Sequence, residues 1–396
     1  MAVCSFLGHW SVYDADIEYR LQAAVDEVVR QNESVDFWLH PWGEFFNYCF
    51  LAVLRAKTRS PQTVKICLIV SESQYTDIMQ QKSGSIPACM IDEITMYRVE
   101  HTQYRDWMIP YRMLQRFIVQ KSTYIIKYIY KKLYDTDRKI LDFSENRQDT
   151  EVISVSSEET ERIIIEHIGL MPEQEQHVFQ KIDGGCTLKE AGASLGVGKE
   201  RTRQILHHGC AILKKSLERR RNRARATLGG QEYACGIFAL GRESYSSMRS
   251  LQCVIDFLTS AYQVKKVYID QRCAESGFMM ILKGWYPFSS KVHVTAVTDA
   301  EPFSEADREE DILRIRFCPP CDAVRYVGWP GMENDTDGLA AIADVIERSD
   351  FCLFHGSAAR FAEEQRRAVC QKKTVIFVDI GKKNSIQEGK PAGGIE

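Results

Sequence analysis

Short apolar runs alternate with amphipathic segments through the first third of the chain. Runs of strand length occur at 3–6, 36–39, 64–70, 94–99 and 124–128, and helical spacing at about 15–30, 44–56 and 110–120. Continuous apolar runs that alternate with helices are typical of a mainly parallel sheet. The pattern therefore predicts an α/β domain over residues 1–145, closed by a last helix and a strand at 139–143.

The same order of elements recurs after residue 230. Strands are predicted at 234–239, 266–269, 291–297, 313–317, 351–354 and 374–379, and helices at about 245–262, 338–349 and 358–370. Matching element order and matching glycine turns indicate an internal duplication. We therefore predict an α/β fold of two Rossmann-like, mainly parallel-sheet domains, at 1–145 and 231–382, followed by a disordered tail at 383–396. Polar segments at 144–158 and 222–232 are predicted to be linkers that let the parts reorient.

An all-α domain is predicted between the sheets, at 155–225, and it contains a helix-turn-helix pattern at 187–217. Thr187 and Glu190 have the spacing of a capping box, and Gly196 supplies a turn before a second helix. The inward positions of the two helices are Leu188, Ala191, Leu195, Thr202, Ile205 and Leu206. The outward positions of the second helix are Lys199, Glu200, Arg201, Arg203, Gln204, His207 and His208, as in a helix that reads the major groove.

Positive charge is concentrated in and after this second helix. Ten Lys or Arg residues lie between 199 and 225, against Glu200 and Glu218, in a chain whose net charge is −3. A local basic island on an acidic protein is the electrostatic pattern of nucleic-acid binding. The candidate contacts to double-stranded DNA are Lys199, Glu200, Arg201, Arg203, Gln204, His207, Lys214, Lys215, Arg219, Arg220 and Arg221. Two alternatives stay open, a solvated helix end and a module that binds protein.

Residues 160–218 resemble region 4 of sigma-70-type factors, which reads the promoter element at −35. The resemblance rests on 187–217 and on the helix start Leu170-Met171-Pro172-Glu173-Gln174-Glu175. It implies that Lys199, Glu200, Arg203 and Gln204 occupy the base-reading and adjacent phosphate positions, and that Arg201 contacts the DNA backbone. The sequence departs from the family at Gly198, where a Ser or Thr cap is usual, and at Leu206, where an acidic residue is common.

Glycines follow predicted strands at equivalent places in the two α/β domains. Such strand ends are where helix N-termini meet ligands in parallel sheets. The candidate ligand-binding residues are Gly8, His9, Gly43 and Glu44 in the first domain and Gly241, Arg242 and Gly277 in the second. Taken singly, each glycine also fits an ordinary tight turn.

Both α/β domains resemble the SLOG superfamily of Rossmann-like domains. The residues concerned are Cys4–Ser5–Phe6–Leu7–Gly8–His9 and His40–Pro41–Trp42–Gly43–Glu44–Phe45, then Phe238–Ala239–Leu240–Gly241–Arg242, Ser276–Gly277–Phe278 and Glu347–Arg348–Ser349–Asp350–Phe351. The resemblance spans about 1–145 and 231–382 and implies a nucleotide-derived ligand. The PGGxGTxxE motif of the LOG enzymes is absent, since Pro330-Gly331 continues as Met332-Glu333-Asn334. We therefore predict no catalytic residues.

Composition adds few constraints. The thirteen cysteines are scattered, many within apolar runs, and are expected to be reduced and buried. Cys318-Pro-Pro-Cys321 lacks a second pair of ligands, so no metal site or cofactor is predicted. No apolar run approaches the ~18 residues that span a bilayer, and the expected location is the cytoplasm.

These features predict a DNA-binding regulator in which nucleotide-sensing domains control a helix-turn-helix. A nucleotide-processing enzyme and a protein that handles single-stranded nucleic acid are the alternatives. The sequence also leaves open whether the two α/β domains pair within one chain or two chains form a homodimer.

Overall fold

The computed structural model describes residues 1–82, 85–97, 108–133, 149–227, 232–239, 245–270, 292–298, 323–326, 339–356, 361–378 and 386–387. The contacts divide the chain into two compact units. The first unit contains residues 1–53 and 99–231, and the second contains residues 54–98 and 232–396. The helix-turn-helix region and the start of the first α/β domain therefore belong to one unit.

The described elements of the first half of the chain are β1 (Ala2–Gly8), α1 (Ile17–Gln31), β2 (Val35–Leu39), α2 (Gly43–Arg59), β3 (Val64–Val70), α3 (Glu72–Met79), β4 (Glu93–Met96), α4 (Met108–Lys121), β5 (Tyr124–Tyr128), β6 (Glu151–Ser154), α5 (Glu158–Gly169), α6 (Glu173–Asp183) and α7 (Leu188–Ala193). They are followed by α8 (Lys199–Thr227), β7 (Ala234–Ala239), α9 (Tyr245–Tyr262), β8 (Lys266–Asp270), β9 (His293–Thr298), β10 (Ala323–Tyr326), α10 (Leu339–Arg348), β11 (Phe351–His355), α11 (Ala362–Cys370), β12 (Thr374–Val378) and β13 (Ile386–Gln387).

In the first unit, β1 is flanked by two parallel neighbours. It pairs with β2 on one side and with β5 on the other, and β6 pairs in parallel with β5. Cys4 and Ser5 point to opposite faces of the sheet and are both fully buried. Burial on both faces is characteristic of parallel sheets and explains why β1 is apolar except for Ser5.

Strand β6 lies where the sequence predicted a polar linker. Val152 and Ile153 pair with Ile125 and Ile126 of β5, and Val152 packs against the apolar cluster around Leu7. Two adjacent apolar residues were enough to extend the sheet by one strand, although polar residues surround them. The chain that enters the helical region is therefore held by the sheet. The second predicted linker is also shorter than expected, because α8 continues to Thr227.

In the second unit, β7 to β12 form a sheet with the strand order β10-β9-β8-β7-β11-β12. All of its pairings are parallel. The same unit contains the parallel pair β3–β4, and β13 pairs with β4 inside the tail that was expected to be disordered. The predicted α/β fold, with parallel sheets on both sides of the helix-turn-helix region in sequence, is confirmed. The strands predicted at 139–143 and 313–317 lie outside the described residues.

Candidate nucleic-acid interface

The first helix of the helix-turn-helix, α7, begins with the predicted capping box. The Glu190 amide donates to Thr187 Oγ1 at 3.3 Å, and the Thr187 amide donates to Glu190 Oε2 at 2.7 Å. The hydrogen bond from the Thr187 amide, and after it one from the Thr187 side chain, lower the pKa of the Glu190 carboxyl. Since the carboxylate is the accepting form, the capping box persists below the pH at which an ordinary glutamate is protonated. The start of α7 is thus fixed by its own sequence.

The turn between α7 and α8 depends on two glycines. Gly196 has a φ of +69°, a conformation that L side chains rarely adopt. A Cβ on Gly192 would lie 2.2 Å from Thr202 Oγ1 and 2.7 Å from the Val197 carbonyl oxygen. Gly192 therefore lets α7 approach the first turn of α8 closely. Thr202 is fully buried and its hydroxyl donates to the Gly198 carbonyl at 3.1 Å.

Apolar side chains from α6, α7 and α8 form the core of the helix-turn-helix. The buried members are Val178, Ile182, Ala191 and Ile205, with Leu188, Leu195, Val197 and Leu206 packed against them. The inward positions predicted from the sequence are therefore confirmed. Gly209 provides a second close approach, because a Cβ there would lie 2.6 Å from Phe179 of α6.

The opposite side of α8 is exposed over its first turns. Lys199, Glu200, Arg201, Arg203, Gln204, His207 and His208 are all exposed, as predicted. Arg203 lies 3.7 Å from Glu200, and an Arg201 guanidinium nitrogen donates to Gln204 Oε1 at 3.2 Å. Exposed ion pairs of this kind contribute little free energy, so these side chains can exchange partners readily. The structure thus brings the predicted base-reading residues together on one accessible surface.

Arginines near the end of α8 are not part of this exposed surface. They contact the first α/β region, which is the part of the first unit formed by residues 1–53 and 108–133. One Arg221 guanidinium nitrogen lies 2.8 Å from both Glu44 carboxylate oxygens, and it also donates to the Val12 carbonyl. Arg225 donates to the hydroxyl of Tyr48. Arg220 pairs with Glu159 in α5, whereas Lys215 and Arg219 are exposed. The predicted DNA-contacting residues are therefore distributed over two environments.

The start of the helical region is also attached to the sheet of the first unit. Asp14, which is buried, accepts hydrogen bonds from Arg20 at 2.8 Å and from the hydroxyls of Tyr130 and Thr160. The Tyr130 hydroxyl in turn accepts from the amide of Ser157, the residue that caps α5. Contacts at α5 and at α8 thus connect the helix-turn-helix to the first α/β region at two places. The sequence did not indicate that Asp14, Tyr48 and Thr160 take part in these contacts.

One signal for the Arg221 contact was present in the sequence. Cys210, Leu213 and Leu217 are buried, and they follow one another at intervals of three and four residues. Arg221 lies four positions after Leu217 and continues this stripe. The identity of its acceptor, Glu44, was not accessible from spacing because the two residues are distant in sequence.

A small cavity of about 40 Å³, open to solvent, lies at the ends of β1 and β2. Many of its walls are rings, namely Phe6, His9, His40, Trp42, Phe45 and Phe46. Trp42 is stacked with His40, at a centroid distance of 6.1 Å, and packs edge-on against Trp10. The cavity occupies the position at which parallel sheets commonly hold ligands.

The predicted ligand-binding residues of the first domain are close to this cavity and make internal contacts. A Cβ on Gly8 would lie 2.3 Å from the ring of Phe45, so Gly8 makes room for that ring. His9 is buried and its Nε2 accepts from the Tyr130 amide at 2.6 Å. Gly43 has a φ of +77°, and the Glu44 amide donates to the Trp10 carbonyl at 2.7 Å.

The structure describes some of the remaining predicted residues and not others. Gly241, Arg242 and Gly277 lie outside the described residues, as do Cys318 and Cys321. Cys4, Cys67 and Cys352 are buried free thiols, as predicted, whereas Cys370 is exposed and Cys89 and Cys186 are half-buried. Burial raises the pKa of Cys352 to about 12. None of the described helices combines the length and the hydropathy that a membrane-spanning segment needs.

Comparison with known protein families finds a similarity at the centre of the chain. Residues 168–215 match the family model of sigma-70, region 4. This interval contains α6, α7 and the first half of α8, including the exposed residues from Lys199 to His207. A search of curated proteins finds no match to the chain. The family match indicates a DNA-binding role in transcription regulation for the helix-turn-helix.

Proposed function

We propose that this protein is a ligand-controlled regulator that reads double-stranded DNA through the first turns of α8. The observation that supports DNA reading is the exposed surface formed by Lys199, Glu200, Arg203 and Gln204 within the segment that matches sigma-70 region 4. Arg and Gln are suited to base edges in the major groove, whereas Lys199 and Arg201 are suited to phosphates. The capping box of α7 and the close contact at Gly192 hold this helix in a fixed orientation.

The SLOG-like resemblance supports a nucleotide-type ligand for the α/β domains. In the first unit, the aromatic cavity at the ends of β1 and β2 is the proposed site, and a nucleobase would widen it and stack against rings such as Trp42. The position of Glu44 supports the proposal that this ligand controls DNA binding. It lies between cavity-lining Trp42 and Phe45 in sequence, and its carboxylate binds Arg221 of α8.

DNA reading is tested by enrichment of a random duplex pool, followed by anisotropy titrations at several salt concentrations. We expect Arg203→Ala with Gln204→Ala to lower affinity for the enriched duplex by about tenfold or more, since each good base contact contributes about 1–3 kcal/mol. Arg162→Ala is the matched control, because Arg162 is an exposed arginine of α5 that pairs with Glu166 at 3.8 Å. The Arg162→Ala variant should bind the enriched duplex with the same affinity as the unmodified protein.

Two other outcomes would contradict the proposal. Tighter binding to single strands than to the duplex would favour a single-strand handling protein. Equal loss of affinity with Arg162→Ala and with the double variant would indicate charge attraction without base reading. The length of DNA protected from cleavage also distinguishes one bound copy from two copies on successive major grooves.

A further inference from the structure

The C-terminal part of α8 occupies an arginine-binding site on the first α/β region. Glu44 Oε2 accepts from the Val12 amide at 2.9 Å, so the carboxylate is oriented before it meets the arginine. The Arg221 guanidinium then bridges both Glu44 oxygens and the Val12 carbonyl. The side chains of Arg221 and Glu44 are only 13% and 33% exposed, so this ion pair is largely shielded from solvent.

Arg225 makes the second contact of the same site. It donates to the Tyr48 hydroxyl, and its guanidinium carbon lies 5.8 Å from the centroid of the Tyr48 ring. Burial raises the pKa of Tyr48, so the hydroxyl is neutral and acts as an acceptor at physiological pH. Tyr48 is one turn after Glu44 on α2, and Arg225 is one turn after Arg221 on α8. The two helices therefore meet through two successive turns of each.

On an ideal helix the contact lies beside the buried stripe of Cys210, Leu213 and Leu217, at the edge of α8 that Arg203 also occupies. An α-helix has 3.6 residues per turn, so Arg221 lies five turns after Arg203 and on the same side, about 27 Å along the axis. Arg225 is related to His207 in the same way. A duplex lying against Arg203 and His207 would therefore extend toward the side on which Glu44 now holds the two arginines.

We propose that Glu44, Val12 and Tyr48 form an inhibitory clamp that withholds Arg221 and Arg225 from DNA phosphates. This inference rests on the DNA-binding function proposed above. While Glu44 is paired with Arg221, the pair adds no net positive charge to the basic island of α8. When the carboxylate is removed or engaged by another donor, Arg221 is released on the DNA-facing side and contributes a phosphate contact.

The test measures the slope of log K against log salt concentration with the full chain and duplex DNA. Each phosphate contact contributes about −0.9 to this slope. We expect Glu44→Gln to make the slope more negative by about 0.9, with roughly eightfold tighter binding at 0.1 M salt. The carboxamide introduced by this substitution can still accept from the Val12 amide, so the start of α2 is retained. Adding Arg221→Met to Glu44→Gln should remove the gain.

Arg219→Met is the matched control, because Arg219 is an exposed arginine two positions before Arg221. It should change the slope by the same amount with or without Glu44→Gln. The clamp is refuted if Arg221→Met also reduces the slope equally in both backgrounds, because Arg221 would then contact DNA while it is paired. An unchanged slope in Glu44→Gln would refute it as well.

Hydrogen exchange provides a readout that does not depend on DNA. Amides of residues 219–227 should exchange faster in Glu44→Gln than in the unmodified protein, since the last turns of α8 lose their anchor. Glu159→Gln is the control, because it removes the Arg220 partner in an ion pair whose side chains are 47% and 62% exposed. If neither the unmodified protein nor Glu44→Gln binds duplex, the proposed function fails, but the exchange rates still decide whether the contact anchors α8. Equal exchange in the two variants overturns the clamp.

Discussion

Gly192 lies in the last turn of a short helix and has no room for a side chain. Its Cβ position is 2.7 Å from the Val197 carbonyl oxygen, an atom of the backbone that cannot rotate away. Gly198, in contrast, has no atom within 4 Å of its Cβ position. The two glycines bracket the same turn, so they provide a matched pair of sites.

We expect Gly192→Ala to destabilise the helix-turn-helix and to weaken DNA binding, because α7 and α8 must separate. Inserting a methyl group into a packed interface typically costs about 1–3 kcal/mol. Urea unfolding and duplex titration of the full chain measure the two effects. Gly198→Ala should have the smaller effect, up to about 1 kcal/mol, because it only replaces glycine by a poorer N-cap residue. Equal effects at the two sites would mean that the turn tolerates displacement.

The sequence predicted the local features of this turn but not its closest contact. The capping box of Thr187 and Glu190 and the turn at Gly196 depend on neighbouring residues, so spacing was sufficient to identify them. The requirement for Gly192 arises from Thr202, which lies on the next helix. A requirement of this kind depends on how two helices pack, and the sequence of either helix alone does not contain it.

At the scale of elements, α5 is attached to the sheet through a buried carboxylate. Asp14 accepts from Thr160, Tyr130 and Arg20, which belong to three separate segments. Burying a carboxylate is costly unless it is paired and hydrogen-bonded, and Asp14 satisfies this condition with these donors. The polar residues at 144–158 predict a flexible linker, whereas strand β6 and this network hold α5 in place.

We predict that Thr160→Val lowers the free energy of unfolding by about 1 kcal/mol, the usual contribution of one hydrogen bond. Asp14→Ala should cost more, about 3 kcal/mol, since Arg20 loses its buried partner. Thr160→Ser retains the hydroxyl and is the control for the valine variant. Chemical denaturation of the full chain gives all three values. A Thr160→Val variant as stable as Thr160→Ser would show that the hydroxyl does not stabilise this junction.

At the scale of the whole molecule, strand and helix order was predictable and the grouping of segments was not. Apolar runs identified most described strands within one or two residues, because burial on both faces leaves a continuous signal in the sequence. The division into units was not predictable, because the helix-turn-helix joins residues 1–53 through Asp14, Glu44 and Tyr48. Those contacts use single polar residues, which have no periodic signal.

This grouping leads to a prediction about linkage between ligand and DNA. If a nucleotide-type ligand in the aromatic cavity shifts DNA affinity by some factor, bound DNA must shift the affinity for the ligand by the same factor. We expect a factor of about 5 to 150, the usual range for coupled sites. Titration calorimetry with nucleoside monophosphates, with and without saturating duplex, measures one factor, and duplex titration with and without the nucleotide measures the other.

Trp42→Ala should abolish the nucleotide effect and leave DNA affinity intact, because Trp42 lines the cavity and lies outside the exposed surface of α8. Trp38→Phe is the control for loss of a tryptophan, since Trp38 stacks on Phe117 and is absent from the cavity walls. Nucleotide binding with a factor of one in both titrations would contradict control by ligand. The cavity and α8 would then act independently.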